Sequence, residues 1–435
     1  VVVSGLTVNT FGGHGIVIAG DDVVVTAVYV GTSATGGVAQ PNSANGIHVT
    51  GTRGTIGGSN PADRFLVSGN GVQGIDVSGD DAVIAGGIIG LNAAATLPLP
   101  NGANGVRLSG ITGATVGVPG AGNIISGNNL APATADGIYA SGGSGHTIQS
   151  NLIGTNSAGA SLGNYNAGVA LSNAAGIQIG GSGLNEGTVI SANGGAGIVL
   201  TGAGSTGNFV QGNYIGPDAG GTIDVGNTGE GILIAAGASN NTINSGNVIS
   251  GNTQNGISIT DAATTGNVVA GNFIGTDATG AAALGNSQNG MRIAGNGNTV
   301  GGNVAADRNI ISANAGQGIA LVGVSGNTVQ GNYIGTDITG SVDLGNGFSG
   351  LWIGSNSSGN TFGGPNPGEG NVMSGNSNGI WLLTSANNNV IQGNYIGTDP
   401  TGTNPVANNV GIYLASGANG NLIGGTAVGE GNVIA

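Results

Sequence analysis

The residues best suited to acid–base chemistry lie near the start of the chain. His14 stands in the segment GGHG, and Asp21 and Asp22 follow shortly after it. A histidine and two carboxylates can exchange protons with a substrate when they meet in one groove. The aspartate pair recurs as Asp80 and Asp81, without a histidine in the place of His14. A motif that repeats with its scaffold is typical of a turn, so we predict no catalytic residues and no enzyme activity.

The charged residues exclude several classes of partner. The 435 residues include 19 Asp+Glu and 5 Lys+Arg, all of them arginine, which gives a formal net charge of −14. Such a chain repels polyanions and has no basic patch for phosphates, so we expect no nucleic acid partner. No run of about 18 apolar residues exists, so we predict no membrane span.

Calcium is the one cofactor with candidate ligands. Asp218 with Asp224, and Asp337 with Asp343, occupy equivalent loops, six residues apart in each pair. Carboxylates at such spacing can bind calcium at about 2.4 Å. An aspartate that begins an Asx turn explains the same pattern. We therefore predict no cofactor and keep these four aspartates as weak calcium candidates.

Internal repeats determine which elements hold these residues. The phrase GNYIGTD recurs at intervals of about 60 residues, for example from Gly331 and from Gly393. A glycine followed by an aliphatic-x-aliphatic triplet recurs fourteen times, about every 30 residues. Each unit holds three short runs of period two, which are typical of strands, and the 96 glycines suit the corners between them. The pattern predicts an all-β solenoid of about 14 coils with three strands each.

The G-I-x-[IL] and N-x-[IV]-x-G-N-x-I patterns resemble the parallel β-helix repeats of the pectate-lyase-like superfamily. They are most similar to the long arrays of bacterial surface proteins. The resemblance covers residues 1–435 and implies one continuous right-handed parallel β-helix of seven double-coil repeats of about 62 residues, without caps. His14 and the paired aspartates also resemble polygalacturonase motifs, although the order differs and an Arg-Ile-Lys segment is missing. Because the superfamily includes lyases, hydrolases, phage spikes and adhesins, the resemblance does not imply one activity.

An apolar stripe follows the outward position of the strand in GNYIGTD. It includes Tyr214, Val248, Phe273, Ile310, Tyr333, Val372 and Tyr395. Two explanations remain open. The first is structural: such residues suit strands, or a long loop folds back over them. The second is that they pack laterally against another copy or another protein. We predict a lateral interface as the functional alternative.

Three aromatic residues share one outward position in successive coils near the end of the chain. Trp352, Trp381 and Tyr413 stand there, and the chain has no other tryptophan. Ordinary cross-strand stacking, a protein contact and the binding of a glycan all fit such an array. We predict a ladder that binds a glycan or a partner.

Asparagines occupy one position before the second strand of eight consecutive coils. Stacked amides can donate and accept hydrogen bonds from coil to coil, so we predict a structural ladder. Its members are Asn208, Asn241, Asn267, Asn298, Asn327, Asn360, Asn389 and Asn421.

These features together predict a secreted structural or adhesive rod at the cell surface, without catalysis. The chain begins and ends in mid-strand and in register with the repeat. We expect either a segment of a longer surface or filament protein, or end-to-end stacking. The partners would be further copies, other surface proteins or glycans. The alternative is a β-helix that binds or degrades a polysaccharide.

Overall fold

A computed structural model describes residues 1–128, 135–383, 385–415 and 417–435. The fold is a right-handed parallel β-solenoid of about 13 turns, with three sheets and three strands per coil, as predicted. The described residues include two short 3-10 helices, Pro61–Asp63 and Ala305–Asp307. No helix in the described ranges combines the length and hydropathy of a membrane span.

The chain divides into two compact units. Unit 1 contains Val1–Tyr214 and Asn227–Gly229, and unit 2 contains Ile215–Gly226 and Glu230–Ala435. The boundary falls within the strand Tyr214–Ile215. In both units the strands follow one another in the order sheet A, sheet B, sheet C, and each strand pairs in parallel with its equivalent in the next coil. The prediction of one continuous domain without caps stays a prediction.

Unit 1 contributes short strands to all three sheets. In sheet A these are Val2–Ser4, Val24–Thr26, Thr55–Gly57, Val83–Ala85, Thr115–Val116, Thr147–Ile148, Gln178–Gly180 and Phe209–Gln211. In sheet B they are Thr7–Val8, Tyr29–Val30, Leu66–Val67, Ile88–Ile89, Ile124–Ile125, Leu152–Ile153 and Val189–Ile190. In sheet C they are Ile16–Ile18, Ile47–Val49, Ile75–Val77, Val106–Ser109, Ile138–Ser141, Val169–Ser172 and Ile198–Thr201.

Unit 2 repeats the arrangement. Its sheet A strands are Thr242–Asn244, Val268–Val269, Thr299–Gly301, Thr328–Gln330, Thr361–Gly363, Val390–Gln392 and Leu422–Ile423. Its sheet B strands are Val248–Ile249, Phe273–Ile274, Ile310–Ile311, Tyr333–Ile334, Val372–Met373, Tyr395–Ile396 and Val433–Ile434. Its sheet C strands are Ile232–Ala235, Ile257–Ile259, Met291–Ile293, Ile319–Val322, Ser349–Gly354, Asn378–Leu382 and Val410–Leu414.

An aliphatic core runs inside each unit because alternate strand residues point inward. Ile125 and Ile153 in unit 1, and Ile311 and Ile334 in unit 2, are fully buried. Corners between strands need glycine where coils approach closely. Gly154, with a φ of +89°, would place a Cβ atom 2.0 Å from the Ser191 carbonyl oxygen of the next coil. A side chain at such a corner would separate the coils.

Buried asparagines bind the coils together at three corners. The predicted ladder lies before sheet A, where Asn267 Nδ2 donates to Asn298 Oδ1 at 3.0 Å and Asn298 Nδ2 donates in turn to Asn327 Oδ1. Asn208, in unit 1, accepts from the Ile177 backbone N–H at 2.8 Å. Two further ladders were not predicted, and they lie before and after sheet B. The first includes Asn247, Asn272, Asn309, Asn332, Asn371 and Asn394, and the second includes Asn42, Asn70, Asn101, Asn128, Asn164 and Asn193 in unit 1.

Long loops cover the outward face of sheet B, so the prediction of an exposed stripe is wrong for much of its length. Four stripe residues are buried, namely Val248, Ile310, Tyr333 and Val372, while Tyr214, Phe273 and Tyr395 are half-buried. Ile310, Tyr333 and Val372 form one apolar cluster with Phe273 and Tyr395. The alternative of a loop that folds back is what the structure shows. A lateral partner at the remaining half-buried side chains stays a prediction.

The covering loops also explain why the repeat is two coils long. Each loop follows sheet B in every second coil, and within each unit neighbouring loops, two coils apart, contact one another. In unit 2 the Ile338 N–H donates to the Gly280 carbonyl at 2.9 Å, and in unit 1 the Ala93 N–H donates to the Gly36 carbonyl at 3.0 Å. Gly340, at a φ of +74°, lies so close to the Tyr333 ring that a Cβ atom would be 2.8 Å from it. One loop therefore covers two coils, which gives the period of about 60 residues.

Candidate functional site

The outer face of sheet C carries the side chains that the covering loops leave accessible. One row of outward side chains, which we call the outer row, runs in register through neighbouring strands. In unit 1 it contains Val17, His48, Asp76, Arg107, Tyr139, Ala170 and Val199. In unit 2 it contains Leu233, Ser258, Arg292, Ala320, Trp352, Trp381 and Tyr413. The outer row is charged in unit 1 and aromatic in the last coils of unit 2.

Three outer-row positions in unit 1 bring a carboxylate together with a histidine and an arginine. His48 Nδ1 lies 3.2 Å from Asp76 Oδ2, and Arg107 Nε lies 3.6 Å from Asp76 Oδ1. The His48 ring stacks on the His14 ring at a centroid distance of 4.9 Å. Strand pairing produces this set, because equivalent residues of adjacent parallel strands lie about 4.8 Å apart. The sequence analysis did not recognise this cluster.

Asp76 and His48 also contain buried atoms without hydrogen-bond partners. His48 Nδ1 lies near Asp76 Oδ2, and Asp76 Oδ1 lies near Arg107 Nε, but neither contact is a hydrogen bond. Asp76 Oδ2, in contrast, accepts from Asn45 Nδ2 at 3.0 Å. Six buried side-chain atoms among the described residues lack a partner, and three of them lie on the outer row: these two and Trp381 Nε1. Because buried polar groups are usually satisfied, this concentration on one face distinguishes the outer row from the rest of the described surface.

A second row of polar side chains, the turn row, borders the outer row of unit 1. It consists of His14, Asn45, Gln73, Asn104 and Asp136, each placed just before the glycine that begins a sheet C strand. Each member accepts a hydrogen bond from a backbone N–H of the next coil, at distances of 2.8–3.3 Å. These bonds fix the side chains in place, so the turn row is a rigid polar edge.

A cavity of about 380 Å³ opens where the two rows meet near Tyr139. Asn104, Asp136, Tyr139, Asn166 and Ser172 are among its lining residues. Burial raises the pKa of Asp136 to about 6, although hydrogen bonds from the Ala167 N–H and Asn166 Nδ2 oppose the shift. The cavity therefore holds a carboxyl group that gains or loses a proton close to neutral pH.

The chain is similar to several solved structures. No family model matches it, and no curated protein matches it. Among solved structures, a mutant of the periplasmic alginate epimerase AlgG matches with a TM-score of 0.42 and 11% identity, over 92% of this chain and 77% of the epimerase. The A-module of an Azotobacter vinelandii mannuronan C-5 epimerase matches with a TM-score of 0.41 and 11% identity, over 95% and 90%. The Dettilon tailspike protein matches with a TM-score of 0.42 and 14% identity, over 88% and 61%.

The first candidate residues from the sequence are not brought together. His14 precedes the strand Ile16–Ile18, whereas Asp21 and Asp22 follow it. Asp21 Oδ1 accepts from the Thr52 N–H at 2.8 Å. Asp22 pairs with Arg53 at 2.7 Å, and this hydrogen bond lowers the pKa of the Asp22 carboxyl. The two aspartates therefore hold a turn, while His14 belongs to the turn row.

The weak calcium candidates bind their own loops. Asp337 Oδ1 accepts from the Ser341 and Val342 N–H groups at 3.2 and 3.1 Å, and Asp218 Oδ1 accepts from two backbone N–H groups of its loop. Asp343 Oδ1 accepts from the Gly345 N–H at 2.9 Å. Among the residues that the structure describes, no group of three His, Asp or Glu side chains could hold a metal ion.

The remaining sheet B loop aspartate, Asp224, has a carboxyl pKa raised by burial. Asp218 Oδ1, in contrast, accepts from the Thr222 and Ile223 N–H groups at 2.8 and 2.9 Å.

The aromatic ladder lies in register as the spacing predicts. Trp352 pairs with Trp381, and Trp381 with Tyr413, in adjacent strands of sheet C. The Trp381 and Tyr413 rings meet edge to face at a centroid distance of 5.5 Å. Trp352 and Trp381 are half-buried, and Tyr413 is 48% exposed. Side by side on an uncovered face, these rings offer a surface for stacking.

The sequence contains a signal for the turn row that was overlooked. From His14 to Asp136, every coil of unit 1 places a polar residue before the strand glycine, and the next two coils place Ala167 and Ala196 there. The end of this polar series coincides with the cavity. This series of polar residues, set beside the outer row, marks the coils that hold the cluster of His48, Asp76 and Arg107.

Proposed function

We propose that the outer face of sheet C in unit 1 binds a polysaccharide. The observation that carries the proposal is the cluster of His48, Asp76 and Arg107 on the row that continues to Tyr139, a lining residue of the cavity. Fixed donors and acceptors at strand spacing suit a ligand with hydroxyl groups along its length, because each coil can offer one set of hydrogen bonds. A net charge of −14 favours a neutral or weakly charged polymer over a polyanion.

The unpartnered atoms support binding over a purely structural role. A structural ion pair in a protein interior normally satisfies its remaining polar atoms. His48 Nδ1 and Asp76 Oδ1 lack such partners. When a ligand approaches the row, small side-chain shifts would let its hydroxyl groups complete these hydrogen bonds.

The test is retention of the protein in native gels that contain soluble polysaccharides. We expect Arg107→Gln to weaken retention by one neutral polysaccharide about tenfold, since a hydrogen bond from a charged group contributes about 1.5–3 kcal/mol. Arg292→Gln is the matched control, because Arg292 occupies the same outer row in unit 2 without an ion pair among the described residues. Equal retention of both variants and the unchanged protein would refute the proposal.

Acid–base catalysis on the bound polymer is a second candidate function. The specific observation is the approach of His48 Nδ1 to Asp76 Oδ2 at 3.2 Å. A carboxylate in this place can hold the imidazole so that Nε2 exchanges a proton with a substrate. Asp136, with a pKa of about 6, lies in the cavity three coils further along the same face. New reducing ends or unsaturated products that disappear in His48→Gln would support catalysis. A polymer that stays intact would support binding without catalysis.

The wider proposal is an exported adhesive protein. Polysaccharides of cell walls and capsules lie outside the cytoplasm, so a location at the cell surface or in the extracellular space follows from the ligand. Lateral or end-to-end self-association remains part of this proposal. Electron microscopy of the purified protein tests it, because regular fibres would support assembly and isolated particles at high concentration would contradict it.

A further inference from the structure

The aromatic end of the outer row forms a second surface, independent of the charged cluster in unit 1. We propose that Trp352, Trp381 and Tyr413 form a stacking platform for the sugar rings of a neutral glycan. The proposal concerns unit 2 alone and does not depend on the function proposed for unit 1.

The position of Trp352 is the first argument. Its six-membered ring lies over Gly354, two residues further along the same strand. A Cβ atom on Gly354 would be 2.2 Å from Cη2 of the indole. The ring therefore lies along the sheet surface, with one face against the backbone and the other turned away from it. Gly354 leaves the space for this orientation.

Trp381 supplies the second argument. Its indole N–H is buried and has no hydrogen-bond partner, although a buried tryptophan usually finds one. Only packing, including the edge contact with Tyr413, holds the ring. A small rotation would bring Nε1 to an acceptor oxygen of a ligand, which would satisfy the donor.

Polar side chains stand three residues before the tryptophans, at the start of the strands that carry them. Asn378 Nδ2 donates to Ser349 Oγ at 3.2 Å, and the Ser349 N–H donates to Gln317 Oε1 at 2.7 Å. These residues continue the position of the turn row in unit 2; Ser349 is fully buried, whereas Asn378 and Gln317 keep accessible surface. Aromatic faces can receive the C–H groups of a pyranose ring, while accessible amides on the same strands bind its hydroxyl groups.

The size of the platform argues against a stable protein partner. A fully buried aromatic side chain contributes about 150–250 Å², and these three are already half covered. The remaining area is a few hundred Å², below the roughly 800 Å² per partner of a standard protein interface. One to three sugar rings fit that area better.

Tryptophan fluorescence tests the proposal directly, because the two tryptophans of the chain both lie on the platform. We expect a saturable change of emission on titration of the full chain with cello-, xylo- or manno-oligosaccharides, and no change with oligogalacturonate. Tyr413→Ala should weaken the binding about tenfold. No change of emission with any of the three neutral series, up to millimolar concentrations, would overturn the proposal.

Gly354→Ala tests the orientation of the Trp352 ring while both tryptophan side chains remain present. The added methyl group must displace the Trp352 ring, so we expect several-fold weaker binding although both tryptophans remain. In a Trp352→Ala background the same change should have no further effect. Equal losses in both backgrounds would overturn the role of ring orientation. Emission that changes with protein concentration alone, together with a dimer in sedimentation, would replace the glycan with a second copy.

Arg107→Gln distinguishes the two surfaces. It should leave the fluorescence titration unchanged, because Arg107 belongs to unit 1. Loss of gel retention together with an unchanged fluorescence titration is the expected result for Arg107→Gln. A titration weakened by Arg107→Gln would overturn the independence of the unit 2 platform.

Discussion

Sheets B and C place apolar or aromatic residues at equivalent outward positions, yet they differ in what covers them. On sheet B, Ile310 and Tyr333 lie under loops and are almost completely buried. On sheet C, Leu233 is half-buried and Tyr413 is 48% exposed. The difference arises from the corner after sheet B, where every second coil has a long loop. Strand composition alone therefore does not show which face of a solenoid meets a ligand.

The largest effect should come from Ile310→Ala on sheet B, with Leu233→Ala on sheet C as the matched control. Loss of a fully buried aliphatic side chain costs about 2–5 kcal/mol, through lost transfer energy and the cavity that remains. The half-buried Leu233 should lose about 1 kcal/mol. Urea unfolding followed by circular dichroism measures both. Similar losses would show that the loops do not build a second core.

The fold was predictable because its signals are local and repeated. Period-two runs and corner glycines predict strands and coils at every repeat. The cover on sheet B was not predictable from the stripe, because Ile310 looks the same in sequence whether a loop lies over it or solvent does. The clue was the double-coil period, since Gly280 and Gly340 recur at that interval and pack on Phe273 and Tyr333.

The candidate site was only partly predictable for a related reason. His48, Asp76 and Arg107 belong to three different coils, and each is an isolated charge in the sequence. Only the exact register of adjacent strands brings them within 3.2–3.6 Å. The aromatic ladder was easier to find, because similar residues at equal spacing form a visible pattern.

Asp136 beside sheet C should destabilise the protein at neutral pH. Its raised pKa means that the folded chain binds more protons than the unfolded chain between about pH 4 and about pH 6, so stability falls as the pH rises through this range. Asp136→Asn keeps the acceptor for Ala167 and removes the charge. We expect about 2 kcal/mol of added stability at pH 7 and little at pH 4.

Thermal unfolding of both proteins at the two pH values measures the difference. A destabilised Asp136→Asn variant at pH 7 would contradict the assignment. If the variant also loses polysaccharide retention, the Asp136 carboxylate contributes to binding at a cost in stability. Such a trade-off is common at functional sites.

The aspartates that begin the loops over sheet B, such as Asp337, should show the opposite pH dependence. Partial burial opposes the charge of Asp337, but hydrogen bonds from Thr339, Val342 and Ser341 outweigh it and lower the pKa. Stability from this group is complete above the unfolded pKa of about 3.9 and is lost as the pH falls through the lower folded value. Asp337→Ala should cost about 1 kcal/mol at pH 7, measured by urea unfolding. An unchanged free energy would show that the loop does not need this cap.

Asp337→Asn should have the smallest effect and isolates charge from geometry. Unit 1 already uses asparagine at this loop position: Asn92 Oδ1 accepts from the Thr96 and Leu97 N–H groups at 2.8 and 3.1 Å, and Asn156 Oδ1 accepts from the Ala158 and Ala160 N–H groups. An amide oxygen therefore satisfies the same donors. We expect Asp337→Asn to change stability at pH 7 by less than about 0.5 kcal/mol and to reduce the loss of stability in acid. Hydrogen exchange of the loop amides at neutral and acidic pH measures both effects. If exchange accelerates in the asparagine variant at neutral pH, the negative charge itself holds the cover on sheet B, and the asparagine loops of unit 1 must be held in another way.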